Sequence, residues 1–228
     1  GKRAYIVTFK KVDPLFVIDL SNPKEPEVLG YLKITGYSDY LHPYDENHII
    51  GIGKETVAAS DEEIAGRNLQ FAWDQGIKIS LFDVSDIENP TEVAKLEIGD
   101  RGTESAALRD HKAFLFDKER NLLVIPINLA EIDESKYKGD IPPNARGRHV
   151  WQGAYVLNIS LEGISVRGKI THDDSGTDTG RYYYGGKYQI QRSLYMDDVL
   201  YTISNTLVKA NSLDDLELIE EVKLPYAV

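Results

Sequence analysis

Residues 17–26 read VIDLSNPKEP, and residues 81–90 read LFDVSDIENP. Residues 156–160, VLNIS, are a shortened echo of the same phrase. Asp19, Asp83 and Asn158 fill one slot in it, 64 and then 75 positions apart. In the two full copies, a β-branched run ends at an aspartate and passes into Ser, Asn or Asp, and Pro. That chemistry stops a strand, because short polar side chains bond back to the turn and proline withholds a ladder donor. The repeated Asp19 and Asp83 therefore read as turn hooks rather than ligands. A repeat this long is one supersecondary unit that buries its apolar face only by stacking on its neighbours.

Working outward, Ala4–Phe9, Leu15–Leu20 and Val28–Ile34 are short β-branched and aromatic runs bounded by turn chemistry. With the strands of one unit labelled A to D, these are B, C and D of the first. The second unit reads A near Asp39–Tyr44, B near His48–Gly53, C near Ile77–Val84 and D near Glu92–Ile98. The third reads A near Lys112–Phe116, B near Leu122–Ile127, C near Ala154–Ile159 and D near Ser165–Ile170. The fourth reads A near Tyr188–Tyr195, B near Val199–Ser204, C near Thr206–Asn211 and D near Glu217–Leu224. Acidic A–B turns recur at Asp45-Glu46-Asn47, Asp117-Lys118-Glu119-Arg120 and Asp197-Asp198. No window reads as a long amphipathic helix. The class is all-β, a β-propeller of about four four-stranded blades whose first lacks its inner strand. The blades fall near residues 1–35, 36–98, 99–171 and 172–228. Residues 1–228 are thus a propeller domain, or the C-terminal part of a larger one. A solenoid would repeat at about 20–45 residues.

Composition narrows the partners. The chain has 228 residues, 28% of them charged, with a formal charge of −11. That field opposes a nucleic-acid backbone or an anionic membrane. Cysteine is absent, which excludes disulfides and thiolate metal sites. No apolar run approaches the roughly 18 residues of a membrane span. The chain opens Gly1-Lys2-Arg3 without methionine and reads as a piece of a longer protein.

In a meander, the B–C and D–A connections leave one edge and the A–B and C–D turns leave the other. The long stretches, Lys54–Gln75, Asn128–Gln152, Gly99–His111 and Thr171–Lys187, are all of the first kind. Long connections of this sort are often functional. The two B–C stretches end alike, at Trp73-Asp74-Gln75-Gly76 and Trp151-Gln152-Gly153. Trp73 and Trp151 are either platforms for a sugar or peptide, or braces folded back onto their own blades; the brace reading is favoured.

The Gly99–His111 connection places Arg101, Glu104, Arg109, Asp110 and His111 near the expected channel mouth. Asp39 and His42 enter the second unit similarly, and Arg192 the fourth. Such a collection suits ligand binding or acid–base work, although paired polar residues commonly line propeller channels. Asp173, Asp174 and Asp178 offer oxygen ligands to calcium, but without the spacing of an EF-hand loop. Arg181-Tyr182-Tyr183-Tyr184 beside Gly185-Gly186 is the densest aromatic cluster, and Arg181 and Tyr183 join the ligand candidates. No Gly-x-Ser-x-Gly, His-Glu-x-x-His or phosphate-cradling loop is present. Asn158-Ile159-Ser160 matches a glycosylation sequon inside a strand phrase.

The phrases VIDLSNPKEP, YSDYLHPYDENHIIGIGKE, GTESAALRDHKAFLFDKERNLLVIPI and RSLYMDDVLYTISN resemble the secreted C-terminal β-propeller family of archaea and bacteria. That family is distantly related to WD-repeat propellers and shares the aspartate phrase with LVIVD-type surface repeats. The resemblance covers nearly the whole chain. It implies a secreted or cell-surface location and a propeller continuing upstream, with no catalytic residues to carry over.

The sequence thus points to a non-catalytic interaction module with its ligand face on the long B–C and D–A loops. The expected partners are a protein, peptide or glycan, and upstream blades of the same polypeptide. Nucleic acid and direct membrane insertion are not expected, and calcium is the one cofactor left open. The alternative is a hydrolase or lyase using the channel-mouth carboxylates and histidines, with calcium assisting.

Overall fold

Four antiparallel meanders repeat the unit that the aspartate phrase marks. The computed structural model describes residues 2–8, 14–59, 72–173 and 186–225. The first sheet runs β1 (Arg3–Val7), β2 (Pro14–Asp19), β3 (Glu27–Lys33). The second runs β4 (Tyr37–Pro43), β5 (His48–Ala58), β6 (Ala72–Asp83), β7 (Thr91–Ile98). The third runs β8 (Leu115–Asp117), β9 (Leu122–Glu131), β10 (Arg148–Ser160), β11 (Gly163–Ile170). The fourth runs β12 (Arg192–Met196), β13 (Val199–Ile203), β14 (Leu207–Ser212), β15 (Leu218–Lys223). The only helices among the described residues are three single 3-10 turns.

The repeat is stricter in the backbone than in the sequence. Every sheet carries a register shift between its last two strands, after Val17, Leu81, Val156 and Ala210. Two positions beyond each lie Asp19, Asp83, Asn158 and Ser212. Asp19 Oδ1 accepts the Ser21 N–H at 2.8 Å, and Asp83 Oδ1 accepts the Ser85 N–H at 2.8 Å. Bonds from Ser21 and Ser85 hold both carboxyls below the ordinary aspartate value. The turn-hook reading of these residues therefore holds. Ser212 Oγ does the same work for Asp214 N–H at 3.1 Å. In the third sheet the hook has moved from Asn158 to Ser160, whose Oγ accepts the Glu162 N–H at 3.2 Å. One further bond recurs in all four sheets. The N–H groups of Leu20, Val84, Ile159 and Leu213 donate to the carbonyls of Lys2, Asn47, Asn121 and Asp198, at 2.7, 2.8, 2.9 and 2.8 Å.

The chain divides into two compact units, Gly1–Arg101 with Ile132–Arg146, and Gly102–Glu131 with Gly147–Val228. In the first, Leu15, Ile34, Ile49, Phe82 and Val84 form a core between the first and second sheets, flanked by Tyr5, Val7, Leu32 and Leu41. In the second, Leu122, Val124, Ala154, Val156, Ile170, Ile190, Leu200 and Leu213 do so between the third and fourth. Area removed from water stabilises each at about 25 cal/mol per Å². Polar seams run beside both cores. Buried Lys78 donates to the Thr35 carbonyl, with Glu92 at 3.9 Å, and Lys95 pairs with buried Glu55 at 3.2 Å. Lys209 Nζ, also buried, donates to the Thr171 carbonyl at 3.0 Å. Lys78 thus ties β6, and Lys209 ties β14, to the connection that leaves the preceding sheet.

Two expectations change. The stretches Lys54–Gln75 and Asn128–Gln152 are in part strand. Beyond Lys54–Ile77, β5 and β6 continue as a two-stranded arm through Thr56–Asp74, Val57–Trp73 and Ala58–Ala72. Likewise β9 and β10 continue past Ala154–Pro126 to Arg148–Glu131. The inner strands of the third and fourth sheets also start late, at Leu115 and Arg192. Asp110 accepts the Lys112 N–H at 3.0 Å and so caps a helical turn at His111–Ala113, where extended chain was expected.

Candidate functional site at the loop-bearing edges

Within each unit the added length collects at one edge of the sheets, and the other edge carries only tight hooked turns. A two-stranded arm is marginal alone in water, so each needs a brace. In the second unit residues 103–105 lie along β9. Glu104 exchanges backbone bonds with Asn128 at 2.9 and 2.8 Å. Thr103 Oγ1 donates to the Ala130 carbonyl at 3.1 Å and accepts its N–H at 3.0 Å, while Ser105 Oγ donates to Pro126 at 2.6 Å. In the first unit the brace is the segment Ile132–Arg146. Gln75 Nε2 donates to the Trp73 and Pro143 carbonyls at 3.1 and 3.0 Å. Asp100 Oδ2 accepts the Ile132 N–H at 2.7 Å.

On this frame the structure brings some of the candidates together. Arg101 lays its guanidinium carbon 4.9 Å from the Trp73 ring centroid and donates to the Asn144 carbonyl at 3.4 Å. Trp73 and Arg101 therefore make one partly buried cation–aromatic surface on the first unit. Asp110 and Arg192 pair at 2.7 Å on the second, with both side chains about 40% exposed. Such a pair contributes little to stability. The Lys112 backbone bond, then Arg192, holds the Asp110 carboxyl below its ordinary value.

Others are placed differently from expectation. Asp39 is exposed, and His42 lies toward the tight-turn end of β4, opposite Ile50. Its Nδ1 shares a hydrogen bond with Tyr40 Oη at 2.9 Å, and burial lowers its pKa. The place of His42 near the end of β4, beside the turn into β5, keeps it away from the loop edge, so it does not join Arg101. Arg109 and His111 are exposed; Arg109 precedes the Asp110 cap and His111 opens the capped turn instead of entering a strand. Trp151 is a brace. Its ring lies over Gly153, where a Cβ would meet it at 2.5 Å, and edge-on to Tyr155 at 5.4 Å. Lys169 Nζ covers both rings, at 5.5 and 4.5 Å.

A further concavity was not foreseen. It encloses about 500 Å³ at the loop edge of the fourth sheet, among His172, Asp173, Lys187, Tyr188, Thr206 and Lys223. His172 Nε2 shares a hydrogen bond with buried Thr202 Oγ1 at 2.8 Å, and Gln152 Nε2 donates to Asp173 Oδ2 at 3.3 Å. Asp173 is the only calcium candidate described; Asp174, Asp178, Arg181 and Tyr183 lie outside the described residues. Among the described residues no three His, Asp or Glu side chains gather as metal ligands. No helix there is long and apolar enough to cross a membrane.

A family model for the β-propeller domain matches residues 1–216. The chain belongs to the β-propeller domain family. This propeller domain is 33% identical over 230 residues to an uncharacterized protein of Methanocaldococcus jannaschii, covering 99% of this chain and 28% of that protein. It is 37% identical over 126 residues to an uncharacterized protein of Archaeoglobus fulgidus, covering 55% of this chain and 17% of that protein. The chain thus spans less than a third of either relative. Among solved structures, an apocarotenoid oxygenase variant from Synechocystis aligns at 10% identity and TM-score 0.37, over 99% of this chain and 46% of that one. Likeness at that level carries no argument about the site.

Proposed function

We propose that this propeller domain is a non-catalytic interaction module whose loop-bearing edges take a peptide, protein or glycan ligand. One observation carries the reading. In each unit the braced arms and long connections share a single edge, while the opposite edge is trimmed to hooked turns. Two features supply recognition chemistry there: the Trp73–Arg101 surface, and the cavity with Lys187, Tyr188 and Lys223. A partly exposed aromatic beside a cation suits a sugar ring or a peptide side chain. A secreted or surface location rests on the family resemblance, and calcium at Asp173 on its carboxylate alone.

The test is a panel of oligosaccharides and synthetic peptides screened by calorimetry against the 228-residue chain. Hits are then measured on Trp73→Ala, Arg101→Ala and Lys187→Ala, with Glu119→Ala at a tight turn as control. Loss of about tenfold in affinity at the loop edge, with the control unchanged, is expected. Chemical conversion of a bound probe, or equal loss in the control, overturns the reading.

A further inference from the structure

Among the described residues, three of the four sheets carry an inner strand, and the first does not. β4, β8 and β12 pair with β5, β9 and β13, whereas β1, in the matching position, ends its sheet. The correspondence is set rung by rung. Ala4 faces Ile18 as Ile49 faces Phe82, Leu123 faces Leu157 and Leu200 faces Asn211. On that rung the inner strands supply Pro43, Phe116 and Tyr195. On the next, matching Tyr5, they supply His42, Leu115 and Leu194.

The open edge has a definite polarity. Leu20 donates to the Lys2 carbonyl at 2.7 Å, so Lys2, Ala4 and Ile6 turn their backbone groups toward β2. By antiparallel alternation Arg3, Tyr5 and Val7 turn theirs outward. β1 has no proline, and Arg3 is its only charged residue, so the usual edge protections are slight. Beside it, in the same unit, is a cavity of about 180 Å³ lined by Tyr5, Leu41, His42, Pro43 and Ile49 together with Asp45 and Glu46. A side chain opposite Tyr5 on an added strand projects to the same face as Tyr5, toward that cavity. The other face of the sheet is apolar and open, with Ile6 45%, Val28 55% and Tyr31 57% exposed.

We infer that the edge of β1 seats an extended segment of the longer polypeptide, paired antiparallel to β1 as the fourth strand of the first sheet, with an apolar side chain opposite Tyr5 entering the cavity. The occupant is the longer polypeptide because a relative matched over 99% of this chain continues well beyond it, this chain covering only 28% of that protein. Its chemistry follows from the other inner strands: a Leu or His opposite Tyr5, a ring opposite Ala4, then an acidic turn. This is strand addition, in which main-chain bonds give affinity and alternate side chains give register. The seat is separate from the proposed ligand edge.

A graft tests it. Residues 190–198, IQRSLYMDD, are placed directly before Arg3 in place of Gly1 and Lys2, so that Asp197-Asp198 leads into β1 as it leads into β13. Amide exchange is read by NMR on dilute protein. In the unaltered chain Tyr5 and Val7 should exchange about tenfold or more faster than Ala4 and Ile6. The graft should slow Tyr5 and Val7 by a similar factor and raise the melting temperature, and a scrambled graft should do neither. Protection of Tyr5 in the unaltered dilute chain, or equal effects of the true and scrambled grafts, overturns the inference. Protection that grows with concentration makes the occupant a second copy and also overturns it.

Discussion

Gly30→Ala should unseat the first sheet from the second. Gly30 lies in β3, over the turn that follows the Asp83 hook. A Cβ there would sit 2.1 Å from the Ile87 carbonyl oxygen and 2.8 Å from that of Glu88, against the 3.4 Å at which ordinary contact begins. The obstacle is backbone, and it is pinned. Asp86 Oδ1 accepts the Glu88 and Asn89 N–H groups at 3.1 and 3.3 Å, and Asp83 holds Ser85. Either the turn tears those bonds or β3 backs away and loosens the packing around Leu15. Overpacking of this kind costs about 1–3 kcal/mol. Reduced freedom of the unfolded chain returns about 0.4–1 kcal/mol. The net is about 1–2 kcal/mol, or roughly 2–8 °C in melting temperature for a chain this size.

The comparison within the repeat sharpens the test. Gly168 holds the corresponding slot in β11, but there the new Cβ would meet only the tip of Leu216 Cδ1, at 2.5 Å, which can turn aside. Gly139 has nothing within 4 Å. Calorimetric melts should therefore rank the loss Gly30→Ala, then Gly168→Ala, then Gly139→Ala near zero. A Gly168→Ala loss as large as that of Gly30→Ala would show that backbone and side-chain obstacles are not being told apart, and the packing argument would fail.

Three other perturbations follow from named contacts. Lys78→Met should destabilise the first unit by about 3 kcal/mol, since the Thr35 carbonyl and Glu92 lose a buried cation; adding Glu92→Gln should recover part of it in a denaturant titration. Asp19 and Asp83 have folded-state pKa values below the ordinary 3.8, so the stability they contribute is present above that pH and lost as pH falls through the lower folded values. Asp83→Asn should accordingly flatten the fall of melting temperature in that acid window, and an unchanged slope would count against the hook. Trp151→Ala should cost about 2 kcal/mol of stability, since Tyr155 and Lys169 lose their partner, and a variant with full stability would return Trp151 to the platform reading.

How much of this was legible in the sequence depends on the range over which each feature is decided. Strand identity and the Asp19 and Asp83 hooks are settled within about ten residues, by β-branched runs and turn chemistry, and those readings held. The turn at Ser212-Leu213-Asp214-Asp215 also reads as a strand end in the sequence, and the structure adds that Ser212 Oγ is its hook and that the shared register shift after Ala210 aligns it with Asp83. The arms read as loops because Lys54-Glu55-Thr56 and Trp73-Asp74-Gln75 are polar. Their strand pairing depends on braces far away in sequence, Pro143 for one and Thr103 for the other. Trp151 was ambiguous until Gly153 was seen to make room for its ring. His111 went astray because Asp110 serves as a helix cap, which a strand-by-strand reading does not anticipate. The cavity at His172 lay beyond reach altogether, since it needs the end of β11, the approach to β12 and the end of β15 at once. The features that shape the fold are thus local and repeated. Those that shape the candidate site are assembled from single residues on different strands, and each departs from the repeat.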